Sequence, residues 1–377
     1  MTIESVPHLF DPERTRRLVL KIGSALLVSP DGHAKKGWLA SLVGEINEAR
    51  SRGQEVIVVS SGAVALGAAS LGLAKGGRGS LADKQAAAAV GQIELSSLWA
   101  TLLDAYGLKA AQMLLTLDDL EDRRRYLNAS ATFGRLLKAG AVPIVNENDS
   151  VATAGLRFGD NDRLAARVAL AGNADAVVLL SDIDGLYDRN PSHPEAEVQE
   201  LIDGVTAEVH AMASGESSSG VGTGGMTSKL KAAEIAERAG IAMAILNGTH
   251  DRPIARALAR DLGTIFLPQR QDAGRKMWIG GRQRMEGMLT VDEGCVRALG
   301  RGNSLLAAGI TQIEGEFKRG VPVGVRSPEG TQVAQGLVEY SSSELDRLKG
   351  HRTEEHELLL GYPPRSAVIH RDHLVLL

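Results

Sequence analysis

Two lysines stand where an apolar run ends and where a helical pattern begins. Lys21 closes the run in Leu20-Lys21-Ile22-Gly23-Ser24. Lys229 ends Gly222-Thr223-Gly224-Gly225-Met226-Thr227-Ser228-Lys229, a series of small residues leading into a helix. Exposed amides at a helix start, hydroxyls and an ammonium group suit a phosphate chain. The second segment is not a Walker A loop, because no glycine directly precedes Lys229. Gly220, Gly222 and Gly225 have the spacing Gly-x-Gly-x-x-Gly, but they follow no strand and precede no acid for a ribose, so a dinucleotide fingerprint is rejected. Taken singly, a lysine at a strand end is more often merely solvated, and a small-residue segment is about as often a surface loop.

Other polar segments follow the apolar runs. Ser60-Ser61-Gly62-Ala63 could offer amides and hydroxyls to a carboxylate, or simply cap a helix. Asn146-Glu147-Asn148-Asp149 and Gly159-Asp160-Asn161-Asp162 hold more polar groups than turn chemistry demands. Ser181-Asp182-Ile183-Asp184-Gly185-Leu186-Tyr187 lacks the third acid and the distal glutamate of a calcium loop, and its acids and hydroxyls could instead meet a nucleotide. His351, His356, His370 and His373 have no ligand spacing, so they are expected at the surface and no metal is assigned to protein side chains.

These segments need a frame. Short β-rich runs, Leu18 to Ile22, Val56 to Ser60, Ala110 to Leu115, Val142 to Asn146, Ala176 to Leu180 and Ala242 to Leu246, alternate with helical stretches at Leu39 to Arg50, Leu81 to Tyr106 and Lys229 to Ala239. That order predicts an α/β fold, an open and mostly parallel sheet sandwiched by helices, with ligands beyond the carboxyl ends of the strands. After about residue 275 the pattern changes to short β segments with Gly and Pro turns, such as Gly320 to Arg326 and Gly336 to Tyr340. The expected domains are 1–275 and a small β-rich one at 285–372. Residues 1–15 show no clear periodicity and read as a loose lead-in.

The chain's 42 Lys and Arg against 46 Asp and Glu give a net charge of -4, which offers no general attraction to nucleic acid or anionic membrane. Cys295 is the only cysteine, which excludes an intrachain disulfide and a cysteine-based zinc site and fits a reducing, cytoplasmic setting. Apolar runs such as Ala176 to Leu180 are too short to cross a bilayer.

In this order the segments, with Met113 to Leu117 and Asp122 to Asn128, resemble the amino acid kinase superfamily, and within it the members that act on free glutamate and carry a C-terminal PUA-like domain. The resemblance runs from about Arg17 to the C-terminus. It implies ATP-dependent phosphorylation of the γ-carboxylate of L-glutamate to L-glutamyl 5-phosphate, the first step of proline biosynthesis. Lys21 and Lys229 match the family's two charge-stabilising lysines, and Asp162 matches the acid that orients them. Ser61, Gly62, Asp149 and Asn161 match glutamate-binding positions. Lys21, Ser181, Asp182, Thr223, Gly224, Gly225, Met226, Thr227, Ser228 and Lys229 match ATP-binding positions. The resemblance also implies Mg2+, proline as feedback inhibitor and a homo-oligomer. PUA modules raise the question of RNA, but from Gly281 onward 12 Lys and Arg face 13 Asp and Glu, a poor balance for binding a phosphate backbone.

Overall fold

The computed structural model describes residues 3–151, 160–213, 225–260, 262–268, 285–365 and 367–376. The chain divides into two compact units, Met1–Glu121 with Ala129–Arg270, and Asp122–Asn128 with Gln271–Leu377.

The first unit is built on strands β1 (Arg17–Ile22), β2 (Glu55–Val59), β3 (Ala110–Leu115), β4 (Val142–Glu147) and β5 (Ala176–Ser181). Further along come β6 (Leu186–Tyr187), β7 (Val198–Gln199), β8 (Leu201–Ile202), β9 (Ala242–Asn247) and β10 (Thr264–Phe266). Near-continuous aliphatic runs such as Glu55-Val-Ile-Val-Val59 bury side chains on both faces, as strands in a parallel sheet must. Eight of them pair in the order β3-β4-β2-β1-β5-β9-β10-β8, with β6 and β7 forming a separate hairpin. Only the β9 to β10 pairing in the large sheet is antiparallel. The six strands expected from sequence are all present. Strands β8 and β10, at one edge, have two and three residues, too few to display an alternating period.

From β1 the chain steps to β2 on one side and reaches β5, its other neighbour, only after β3 and β4 are complete. That reversal opens a crevice beyond the carboxyl ends of β1 and β5. Leu18, Leu20 and Ile22 of β1 share a core with Leu39, Leu42 and Ile46 of the helix Lys36–Ser51, and with Leu95, Trp99 and Leu103 of the helix Leu81–Asp104. The helices Asp160–Ala171 and Met226–Arg238 pack side by side, the former also against β1, β2, β4 and β5. In chain order the helices used below are α1 (Lys36–Ser51), α2 (Ala63–Ser70), α3 (Leu81–Asp104), α4 (Asp160–Ala171) and α5 (Met226–Arg238).

Helices α2 and α3 cross with their backbones in contact. A Cβ at Gly67 would lie 1.9 Å from Ala87 O, and one at Gly91 would lie 1.9 Å from Ala63 O. No side chain yields there, so the helices themselves must separate. Gly91→Val is therefore expected to destabilise the protein by about 3 kcal/mol, the upper end for overpacking, read as a lower midpoint in urea. An unchanged midpoint would contradict the crossing.

Three sequence expectations are corrected. Within the expected lead-in 1–15, the described residues 3–15 are not loose: Ile3, Val6, Leu9 and Phe10 are buried, and Gln54 Nε2 donates to the Leu9 and Thr15 carbonyls at 3.0 and 2.7 Å. Their apolar spacing of three, three and one is helical, but too brief to register as a period. Helix α3 is, by length and composition alone, apolar enough to span a bilayer, although no single run suggested it. Its alanine-rich sequence accounts for that, while Gly91, Leu95, Trp99 and Leu103 are buried within the unit. Finally, His356 and His373 are buried rather than superficial.

The second unit carries a five-stranded sheet of β11 (Gly287–Val291), β12 (Ile310–Glu314), β13 (Pro322–Arg326), β14 (Gln332–Leu337) and β15 (Leu374–Leu376), in the order β12-β11-β13-β14-β15. Leu289, Val291, Val323, Val325 and Tyr340 lie in its own core.

Candidate active site

Lys21 is the penultimate residue of β1, Asp162 lies in the first turn of α4, and Lys229 lies in the first turn of α5. Because α4 packs on both β1 and α5, these three positions converge. Lys21 Nζ is 2.6 Å from Asp162 Oδ1 and Lys229 Nζ is 3.2 Å from Asp162 Oδ2, so each carboxylate oxygen holds one ammonium. Asp162 is fully buried, while Lys21 and Lys229 are 8% and 6% exposed. Two cations and one anion leave a net positive charge in a site largely withdrawn from water, an arrangement that attracts an anion.

The electrostatics follow from that count. Burial, the largest influence on Asp162, disfavours its charge, yet the two lysines together hold its carboxyl below the usual carboxylate range. Burial likewise pushes Lys229 below the ordinary lysine value; attraction to Asp162 opposes this, and repulsion from Lys21 adds to it.

On one side of this centre lie the residues matched to glutamate binding. The turn after β2 requires Gly62, whose φ of 103° is in the left-handed region and which caps α2. Asn161 Nδ2 donates to Ser61 Oγ at 2.6 Å and to the Ser60 carbonyl at 3.2 Å, tying the start of α4 to the end of β2. Asn161 Oδ1 is buried without a hydrogen-bond partner among the described residues. Asp149, in the loop after β4, is joined to Lys84 of α3 at 2.9 Å.

On the other side lie residues matched to ATP. Ser181 ends β5 and its Oγ donates to Asp182 at 3.2 Å. Asp182 is exposed and close enough to Lys229 to favour that lysine's charge. Asp184, in the same segment, is held by Asn247 at 2.8 Å and Tyr187 at 3.1 Å. Gly225 caps α5, with Met226, Thr227 and Ser228 in its first turn, and both Gly225 and Thr227 are exposed. Thr223 and Gly224 lie outside the described residues.

The sequence reading passed over one contributor, helix α3. Lys84 meets Asp149, Gln92 Oε1 accepts from Asn146 Nδ2 at 2.8 Å, and Trp99 Nε1 donates to Ser60 Oγ at 3.0 Å. Lys84 and Gln92 are eight residues apart, two helical turns and hence one face. The available signal was the start of α3, where the Ser80 side chain accepts from Asp83 N and an otherwise alanine-rich face carries Lys84 and Gln92.

Known proteins agree with this frame. Residues 16–247 match the amino acid kinase family and residues 287–358 match the PUA domain. The chain is 60% identical over 377 residues to a glutamate 5-kinase of Novosphingobium aromaticivorans, covering the whole of both chains. It is 55% identical over 369 residues to the Sphingopyxis alaskensis glutamate 5-kinase, covering 98% of this chain and 100% of that one. It is 49% identical over 370 residues to the Zymomonas mobilis glutamate 5-kinase, covering 98% and 93%. With a parallel sheet that brings two lysines onto one buried acid at its switch point, and relatives this similar from end to end, the chain belongs to the amino acid kinase family, among the glutamate 5-kinases that carry a PUA domain.

Proposed function

We propose that the chain transfers the γ-phosphoryl group of ATP to the side-chain carboxylate of free L-glutamate, giving L-glutamyl 5-phosphate and ADP, the reaction that opens proline biosynthesis. The observation that carries this reading is the seating of Lys21 and Lys229 on Asp162, in a chain 60% identical throughout to a glutamate 5-kinase.

A carboxylate oxygen of glutamate attacks the γ-phosphorus, the bond from phosphorus to the bridging oxygen breaks, and the electron pair leaves on ADP. Glutamate's carboxylate is already ionised at neutral pH, so no general base is needed. The difficulty is bringing two anions together. Lys21 and Lys229 offset the negative charge on the transferring group, and Asp162 stays ionised and fixes both ammonium groups, so little reorganisation is needed during transfer. Ser61, Gly62, Asp149 and Asn161 hold glutamate. Ser181, Asp182 and Thr223 to Lys229 hold the nucleotide, whose phosphates meet the start of α5.

Magnesium fits this donor set as a companion of ATP. Among the described residues no group of three His, Cys, Asp or Glu is placed to hold a metal, and Mg2+ readily keeps water and phosphate oxygens as ligands. When bound it adds positive charge to the phosphates, while the orientation of the lysines remains the work of Asp162.

ATP-dependent hydroxamate formation tests the reading, because hydroxylamine traps the acyl phosphate directly. Glutamate should give product, with aspartate and N-acetylglutamate giving little. Product from N-acetylglutamate or aspartate in preference to glutamate would overturn it.

The family resemblance further supports proline as feedback inhibitor, a homo-oligomeric assembly and a cytoplasmic location. Nucleic acid is not favoured by the charge balance after Gly281. In this reading residues 1–275 form the catalytic domain and 285–372 a regulatory or assembly module. Deleting 285–377 should leave hydroxamate formation measurable while changing proline inhibition or elution volume. A folded truncation with no activity would contradict that division.

A further inference from the structure

Free glutamate presents three charges. One carboxylate is the acceptor, and the net positive centre at Lys21, Asp162 and Lys229 suits it. The other end of the substrate is a zwitterion, an ammonium beside a carboxylate on the same carbon, and it needs one anion and one cation close together. Asp149 and Lys84 are such a pair, 2.9 Å apart, with side chains 14% and 20% exposed. Beside the ordinary purpose of bracing a loop, this pair has two features that suit a ligand.

First, the loop is braced elsewhere: Gln92, on the same face of α3, holds Asn146 at 2.8 Å, and Asn146 Oδ1 accepts from Glu147 N at 2.9 Å. Second, Asn161 Oδ1 has no donor among the described residues, although Asn161 Nδ2 is fixed to Ser61 and Ser60. An ammonium group meeting Asp149 and Asn161 Oδ1 would satisfy that buried acceptor.

We propose that Lys84 is a specificity-determining residue that binds the α-carboxylate of glutamate while its partner Asp149 binds the α-ammonium. In the absence of substrate the two side chains neutralise each other, and the zwitterion enters between opposite charges already in place. The proposal rests on the glutamate kinase reading and deepens it. A site built to pair a charged substrate group rejects analogues that lack it, because its own charge is then left unmatched.

Two analogues separate the roles. Relative to glutamate, 4-aminobutyrate lacks the α-carboxylate and glutarate lacks the α-ammonium, and both keep the acceptor carboxylate. Steady-state kinetics with glutamate, and inhibition by each analogue, are measured for the full chain, Lys84→Met and Lys84→Arg. Lys84→Met should raise KM for glutamate by about 10²-fold with a smaller change in kcat, while the inhibition constant of 4-aminobutyrate changes less than about threefold. Lys84→Arg should recover much of the affinity, because the charge is kept. An unchanged KM for glutamate overturns the proposal. So does an equal weakening of glutamate and 4-aminobutyrate, which would make Lys84 a brace for Asp149 alone. Failure of the unmodified chain to phosphorylate glutamate would instead remove the underlying reading.

Discussion

Replacing Lys229 with alanine is expected to lower kcat for glutamate phosphorylation by about 10²–10³-fold, the usual loss when one preorganised charge or donor facing a developing anion is removed. The fold should survive. Lys229 and Lys21 share Asp162, and the trio carries one positive charge more than it can neutralise internally. Deleting Lys229 leaves a neutral buried pair and removes a repulsion, so the isosteric Lys229→Met should be at least as stable as the unmodified chain. Lys229 titrates below the ordinary lysine value because of its burial, so activity should decline on the alkaline side earlier than a solvated lysine would allow. Lys229→Arg keeps its charge across that range and should move the decline to higher pH, whatever turnover it retains. Steady-state kinetics with thermal melts distinguishes these expectations; a kcat within threefold of the unmodified chain for Lys229→Ala would remove this lysine from the chemistry.

Why Lys21 and Lys229 could be singled out from sequence, whereas Lys84 could not, is a matter of local context. A lysine directly after three apolar residues, or at the entry of a helix preceded by small residues, stands in a setting that means something locally. The convergence of these lysines does not have a local cause. Lys21 and Asp162 are 141 positions apart, and they meet because α4 lies across β1 and β5. Only the family resemblance, not spacing, connected them. Helix α3 gave still less: its periodicity reveals a buried face of Leu95, Trp99 and Leu103, but Lys84 reads as a solvated residue near a helix start until the loop after β4 is placed beside it. The strong strands were legible because burial on both faces demands uninterrupted aliphatic runs. The edge strands β8 and β10, and the arm containing Val6 and Leu9, are too short to carry a period and owe their structure to partners distant in sequence.

Asp162→Ala should be the most damaging single change in the first unit, and for a reason opposite to that for Lys229. Removing the shared anion leaves two ammonium groups buried near each other with no countercharge, a defect of about 3–5 kcal/mol where a buried ion pair is broken. Turnover should fall with stability, because the lysines lose the group that aims them. The isosteric Asp162→Asn keeps the volume and separates charge from packing. With the countercharge gone, burial and repulsion from Lys21 hold the folded-state Lys229 pKa below that of the unfolded chain, so the folded variant binds protons less well than the unfolded one. Its stability must therefore rise with pH through the lowered lysine pKa, and its deficit against the unmodified chain should be smaller at alkaline pH than at neutral pH. The unmodified chain has a dependence of the same sign at the acid end. Its Asp162 pKa lies below the unfolded value, so that contribution is complete above the ordinary aspartate pKa and is lost as pH falls through the lowered one. Urea midpoints of both proteins across pH measure this directly. A deficit for Asp162→Asn that stays constant from neutral to alkaline pH would mean that the lysines are not held by this carboxylate, and the charge arrangement proposed for phosphoryl transfer would fall with it.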